Sequence, residues 1–431
     1  MTHKIKLVAA IFTAGVTLGA TAADKLQVIH AGHIINGIDD HRSAKQSILI
    51  TNNKITAIKD GYITPQGYQS IDLTDQTVMP GLMDMHVHLT YEFTKTSYGE
   101  RFTKNESYYA LKGAANAQKT LMAGFTTVRD LGAEPQIITA VRDAITQGTI
   151  AGPRVYAAGK SIATTGGHAD PTNGFKHVLM GDPGPKEGVI NGYDDALKAI
   201  RHRYKEGADV IKLTVTGGVL SLAKSGDNPQ FTDQELAGIM DAAKDYNFVV
   251  AVHAHGVEGM KRAIKAGVHS VEHGTYMDKE AMKLMKKHNT YYVPTITAGV
   301  WVGEKAQIEG YYPEIVRPKA AAVGPQIEST FAKAYKKGVK VAFGTDAGVF
   351  PHGLNGREFA YMVRAGMPAM ESIQSATIEA AKLLRIEDKL GSIEVGKLAD
   401  IVAVKGDPLN DIKLMESVSF VMKNGMVVKA Q

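Results

Sequence analysis

No cysteine occurs among the 431 residues. Disulfides, thiolate metal ligands and a lipid-bearing cysteine are excluded, so any metal site must use nitrogen and oxygen donors. Runs of lysine and arginine interleaved with aromatics are also missing. The net charge is only +5, and nucleic-acid binding has no support. Apart from one stretch near the N-terminus, no apolar run approaches the roughly 20 residues of a membrane helix. No Gly-rich dinucleotide fingerprint follows the first strand of the central region. What is present is globular composition, 44% hydrophobic and 22% charged, in a chain long enough for one large domain and a smaller one.

The N-terminal stretch has its own pattern. Lys4 and Lys6 precede the uncharged run Leu7 to Leu18, and Ala20-Thr21-Ala22-Ala23 offers small residues for cleavage. The order matches a secretory signal peptide over residues 1–23. A periplasmic or secreted chain without a membrane anchor after cleavage is therefore expected.

Both ends of the remaining chain are strand-like. Lys25-Leu26-Gln27-Val28-Ile29-His30 and Ser47-Ile48-Leu49-Ile50 have partners in character near the C-terminus, Ala399-Asp400-Ile401-Val402-Ala403-Val404 and Val418-Ser419-Phe420-Val421-Met422. Asn424-Gly425 then marks a two-residue hairpin turn. Residues 24–80 and 390–431 are expected to form one composite β-sandwich domain.

Between them, residues 81–389 alternate strands with helical periods. Eight β-rich runs occur: Val78–His88, Thr126–Asp130, Arg154–Gly159, Val210–Thr216, Phe248–His255, Ser270–His273, Tyr291–Thr297 and Val339–Asp346. Helical stretches such as Ser107–Met122, Asp194–Glu206, Asp233–Tyr246, Gly259–Ala266 and Ile327–Lys337 separate them. Eightfold alternation predicts an α/β fold, a (β/α)8 TIM barrel. Periodicity alone does not show that a sheet closes, and a doubly wound open sheet is the alternative. Trp301–Glu328, with Gly303, Gly310 and Pro313, reads as irregular chain over the pocket mouth.

Catalytic groups of such barrels gather at the C-terminal ends of strands. His86 and His88 close the first run, and alternate strand residues share a face. Such a pair alone is a common chance spacing. Here, however, Lys212 lies in the fourth run, His253 and His255 end the fifth, His273 ends the sixth and Asp346 ends the eighth. A single strand-end histidine is ordinarily a hydrogen-bonded core residue; this whole set points to a metal site.

In order and strand by strand, His86-Val87-His88, Lys212, His253, His273 and Asp346 resemble the metal site of the amidohydrolase superfamily. The resemblance implies two divalent ions, with zinc the expected metal. His86, His88 and Asp346 would hold one ion and His253 and His273 the other. Lys212, carrying a CO2-derived carbamate, would bridge them, and Asp346 would also shuttle the proton. The runs Thr165-Gly166-Gly167-His168-Ala169-Asp170-Pro171 and Asp346-Ala347-Gly348-Val349-Phe350-Pro351-His352-Gly353 are similar to a peptidase branch. That branch comprises Xaa-Pro dipeptidases, Xaa-Arg/Lys carboxypeptidases and ochratoxin-type amidases. The implied substrates are small dipeptides or N-acyl amino acids, cleaved to release the C-terminal residue, by a chain expected to form a homo-oligomer. His168, Gly218 and His352 are candidate substrate contacts. His255, on the face of His253, is a candidate for the substrate carbonyl or carboxylate. Arg129 and Asp130 read as structural. Imidazolonepropionase-like or cyclic-amide hydrolysis, and a non-catalytic metal-binding role, are the alternative readings.

Overall fold

The structure is a computed structural model describing residues 24–224 and 226–430. The segment read as a signal peptide lies outside the described residues. Among those residues, no helix is long and apolar enough to cross a membrane.

Both chain ends build one seven-stranded mixed sheet. The N-terminal part supplies Leu26–Ile34, Ser43–Thr51, Lys54–Asp60 and Gln69–Pro80. The C-terminal part supplies Ile401–Lys405, Phe420–Lys423 and Met426–Ala430. The seam is the antiparallel pairing of Gln69–Pro80 with Ile401–Lys405. The sheet rolls over on itself: Ile55 N donates to Lys397 O (2.9 Å) and Ala399 N to Asn53 O (2.8 Å). Inward side chains from both arms, including Ile29, Ile48, Val78, Ile401 and Phe420, therefore share one core. At the hairpin tip Asn424 and Gly425 both take positive φ, 54° and 73°, as a two-residue turn matching the strand twist requires.

The middle of the chain forms the barrel. Leu82–Val87, Phe125–Asp130 and Arg154–Ala157 pair in parallel. So do Val210–Thr214, Val249–Ala254, Ser270–His273 and Tyr291–Val293. The two groups join where Asp209 N donates to Ala157 O and Ile162 N to Lys212 O. On the other side, residues 340–347 link the seventh strand to the first. Tyr292 N donates to Lys340 O, Met85 N to Phe343 O and His88 N to Ala347 O. The sheet thus closes, and the open doubly wound alternative is excluded.

Several boundaries differ from the sequence reading for local reasons. The first predicted run, Val78–His88, is two strands in different sheets, cornered at Gly81. A Cβ there would sit 2.2 Å from Thr126 Oγ1. The seventh strand stops at Val293, because Pro294 offers no ladder donor and Thr295 turns left-handed (φ 52°). A helix, Ile296–Ala306, follows at once. The segment read as irregular is largely helical, since Arg317–Lys336 is a second helix. Its glycines serve contact: a Cβ on Gly324 would lie 3.0 Å from Gly299 O, and one on Gly299 2.7 Å from Ile327. Small residues let these two helices pack closely. The eighth strand is held by isolated bridges, Val341 to Tyr292 and Ala347 to Val87.

Candidate metal centre

The first barrel strand is buried along its length and carries His86 near its end, with His88 just beyond. Asp346 arrives from the last barrel segment, placing Oδ1 3.5 Å from His86 Nε2 and 3.3 Å from His88 Nε2. These three side chains can direct one ligand atom each at a common point, all within 4.8 Å of one another. Lys212 Nζ lies 3.3 Å from His86 Nε2. The imidazole of His273 stands 5.0 Å from that of His86, and His253 is 4.7 Å from His273, centroid to centroid. The six residues expected to ligate therefore occupy one site at the barrel mouth.

Each histidine is anchored by one ring nitrogen. His86 Nδ1 meets Glu272 Oε2 (3.0 Å), His88 Nδ1 the carbonyl of Gly132 (3.0 Å), His273 Nδ1 Thr295 Oγ1 (2.8 Å) and His253 Nε2 the carbonyl of Gly217 (3.1 Å). Such contacts fix the tautomer and leave the opposite nitrogen for a metal. Burial, reinforced by neighbouring cationic groups, holds His86, His253 and His273 well below the usual imidazole range. They are neutral, the form that ligates. Burial also lowers His88, but its contact with Asp346 outweighs that and raises it overall. Lys212 is pushed down to about 8, chiefly by burial. Three neutral imidazoles and a carboxylate form a nitrogen and oxygen donor set that fits a divalent cation, and Lys212 could join it only once its positive charge is lost. The backbone is strained at the same place, with positive φ at His273 (69°), Thr295 (52°) and Asp346 (60°).

Beneath the site lies a polar layer in which Arg129 meets Ser270 and Glu272, two residues the sequence did not single out. The Arg129 guanidinium, fully buried, donates to Met85 O (2.7 Å), Ser270 Oγ (3.1 Å) and Glu272 Oε1 (2.9 Å). Glu272 in turn holds His86. Ser270 and Glu272 alternate with Val271, a pattern that reads as a solvent face; here that face is the barrel interior. A second clamp is Asp84. It accepts from His86 N (3.0 Å), Thr345 N (3.0 Å), Thr345 Oγ1 (2.6 Å) and Asn355 Nδ2 (2.7 Å), tying the segments that carry His86 and Asp346. Burial raises its carboxyl to about 6. Arg129 and Asp130 are structural, as expected: Asp130 accepts from Leu89 N at 2.7 Å.

A cavity of about 760 Å³ opens over the site, lined by the ligand set together with His168 and His255. The His168 ring lies 4.3 Å from that of His253, tilted by 32°, and its buried Nδ1 has no hydrogen-bond partner among the described residues. His255 Nδ1 is tied to Thr275 Oγ1 at 2.7 Å. Burial, first among the causes, takes both rings down to about 3. Two expected substrate contacts need correction. His352 does not line the cavity; its Nε2 faces the carbonyls of His88 (3.2 Å) and Tyr91 (3.0 Å), bracing the chain behind the ligands. Gly218 lies beneath the His168 ring, where a Cβ would come within 2.1 Å of that ring. The cavity wall there is formed by the next residues, Val219 to Leu222.

Comparison with known proteins agrees with this geometry. A model of the amidohydrolase family matches residues 77–428. The ochratoxinase of Aspergillus niger is 31% identical over 438 aligned positions, covering 96% of this chain and 88% of that protein. A solved Xaa-Pro dipeptidase with methionine bound in its active site is 57% identical, with a TM-score of 0.91, covering 94% of this chain and 100% of that one. A prolidase in complex with N-methylphosphonate-L-proline is 28% identical, with a TM-score of 0.84 and coverage of 94% and 100%.

Proposed function

The chain belongs to the amidohydrolase family, and we propose that it hydrolyses dipeptides or N-acyl amino acids at the amide bond, releasing the C-terminal amino acid. The observation that carries this reading is the meeting of His86, His88, Lys212, His253, His273 and Asp346 beneath a cavity of about 760 Å³, room enough for a dipeptide. The likeness to an Xaa-Pro dipeptidase, a prolidase and an ochratoxinase supports it.

His86, His88 and Asp346 would hold one ion, His253 and His273 a second, and carboxylated Lys212 would join them. Zinc suits imidazole and carboxylate donors without thiolates. When bound, the ions supply Lewis acidity, acidifying water toward neutral pH and polarising the amide carbonyl. The lowered pKa of Lys212 favours its neutral amine, the form that reacts with CO2. Asp346 takes the proton of the attacking water and hands it to the amide nitrogen, which leaves poorly unless protonated. His168 and His255 are neutral and line the cavity, placed to hydrogen-bond a substrate carbonyl or carboxylate. Export through residues 1–23, a composite sheet domain at 24–80 plus 390–431 and homo-oligomer formation belong to the same proposal.

The test is amino-acid release from a dipeptide and N-acyl amino acid panel by the zinc-loaded chain prepared with bicarbonate. Release of free C-terminal residue is expected. A metal-loaded, folded chain that releases nothing across the panel would overturn the assignment.

A further inference from the structure

The loop after the fourth barrel strand is fastened with unusual thoroughness. Lys319, from the helix Arg317–Lys336, points its ammonium into this loop and donates to three of its carbonyls: Gly218 O (3.0 Å), Ser221 O (2.8 Å) and Ala223 O (2.9 Å). An ammonium has three protons, so the loop uses all of them. From the opposite side Tyr98 Oη donates to Leu220 O at 2.8 Å. Leu222 packs on Gly174, where a Cβ would come within 2.4 Å of it. A fixed segment of this kind serves to hold the side chains it presents, and those are Val219, Leu220 and Leu222, all lining the cavity. The cavity lining includes further apolar residues, Val302, Val323 and Ile327.

Charge complements the picture. Among the described residues, acidic groups lining the cavity beside Asp346 are Asp170, Glu134, Glu187 and Glu106. Asp170 accepts from Gly166 N and Thr172. Glu134 pairs with Lys160 at 3.1 Å, and Glu187 accepts from Gly184 N at 3.0 Å. Glu106 is exposed, at the start of its helix. None is a buried carboxylate waiting for a basic side chain, as selection of arginine or lysine would need.

We propose that the loop segment Val219–Leu222 is a specificity wall for an apolar substrate side chain, with Lys319 as its positioning residue. This rests on the dipeptidase reading above. Because Lys319 touches no reacting atom, its loss acts on binding more than on chemistry. It should raise KM and blur side-chain choice while lowering kcat little.

The test compares wild type with Lys319→Met and Tyr98→Phe, all zinc-loaded. The substrates are two dipeptide series, each varying one position among Leu, Met, Phe, Arg and Glu. At one of the two positions wild type should favour apolar residues over Arg by at least about tenfold in kcat/KM. Lys319→Met should raise KM for those apolar substrates about tenfold, lower kcat by less than about threefold and shrink the preference. Tyr98→Phe, a milder change with little risk to folding, should move in the same direction. A wild type that prefers Arg, or variants whose preference and KM equal wild type, would overturn the proposal. Absence of any dipeptide hydrolysis by wild type would instead refute the functional reading on which it rests.

Discussion

At the scale of single residues, His86, His88, His253, His273 and Asp346 are legible because they stand at or near strand ends, where a barrel exposes chemistry. Lys212 sits within its strand, Val210–Thr214, and is legible only in the company of the others. The groups that orient them are not legible. Glu272 neighbours His273 in sequence and accepts from nearby Ser270, yet its charged and ring partners are His86 and Arg129, 186 and 143 positions away. His352 failed in the opposite sense: its place in a recognisable motif suggested substrate contact, while its ring braces two carbonyls. Glu272→Gln gives a direct check on the buried layer. It removes the anionic partner of a fully buried guanidinium, whose uncompensated charge costs about 3–5 kcal/mol. It also weakens the anchor of His86, a loss worth about 10–100-fold in metal affinity or activity. Thermal melting and metal titration of the variant should show both effects; a variant that matches wild type in both would mean that the layer has no role in the site.

At the scale of elements, strands and helices with clean periodicity fell where their patterns put them. Asp233–Asp245 begins at the Thr232/Glu235 capping box, and Ser270–His273 matched to the residue. Much of the helix pair Ile296–Ala306 and Arg317–Lys336 is hidden in the sequence because Gly303, Gly310 and Pro313 read as breakers, while Gly299 and Gly324 sit where the two helices touch. Their purpose, close approach of two helices, exists only in three dimensions. The cap of the first of these helices is also remote in sequence. Glu358, fully buried, accepts from Ile296 N, Thr297 N and Thr297 Oγ1 at 2.7, 2.7 and 2.6 Å. Burial raises its carboxyl to about 8, against about 4.3 in an unstructured chain. The folded state thus holds the proton more tightly than the unfolded one. Glu358's contribution to stability is complete below about pH 4 and is lost as pH rises toward 8. Glu358→Gln, which cannot ionise, should flatten the fall in Tm between pH 5 and pH 8 relative to wild type. Parallel slopes for the two proteins would contradict the raised carboxyl.

At the scale of the whole molecule, alternation along the chain foretold a barrel, and β-rich ends foretold a shared sheet. Closure was beyond the sequence, because the bonds that achieve it, Met85 to Phe343 and His88 to Ala347, join the first and last segments through irregular bridges. The same closure brings Asp346 against His86 and His88, so fold and site are completed together. The Arg154–Asp400 ion pair, at 3.0 Å, and the Gly81 N to Asp400 O bond, at 2.7 Å, fasten the terminal sheet to the barrel close to the origin of the first strand. Amide hydrolysis by this constellation, as proposed, requires two ions and a modified lysine. The most direct measurement follows amino-acid release from the responsive substrate as zinc is titrated into metal-free chain with bicarbonate, alongside Asp346→Asn. Release should saturate near two ions per chain, with turnover about 10²–10⁴-fold lower in the variant. Saturation at one ion, or an Asp346→Asn chain as fast as wild type, would contradict the proposal.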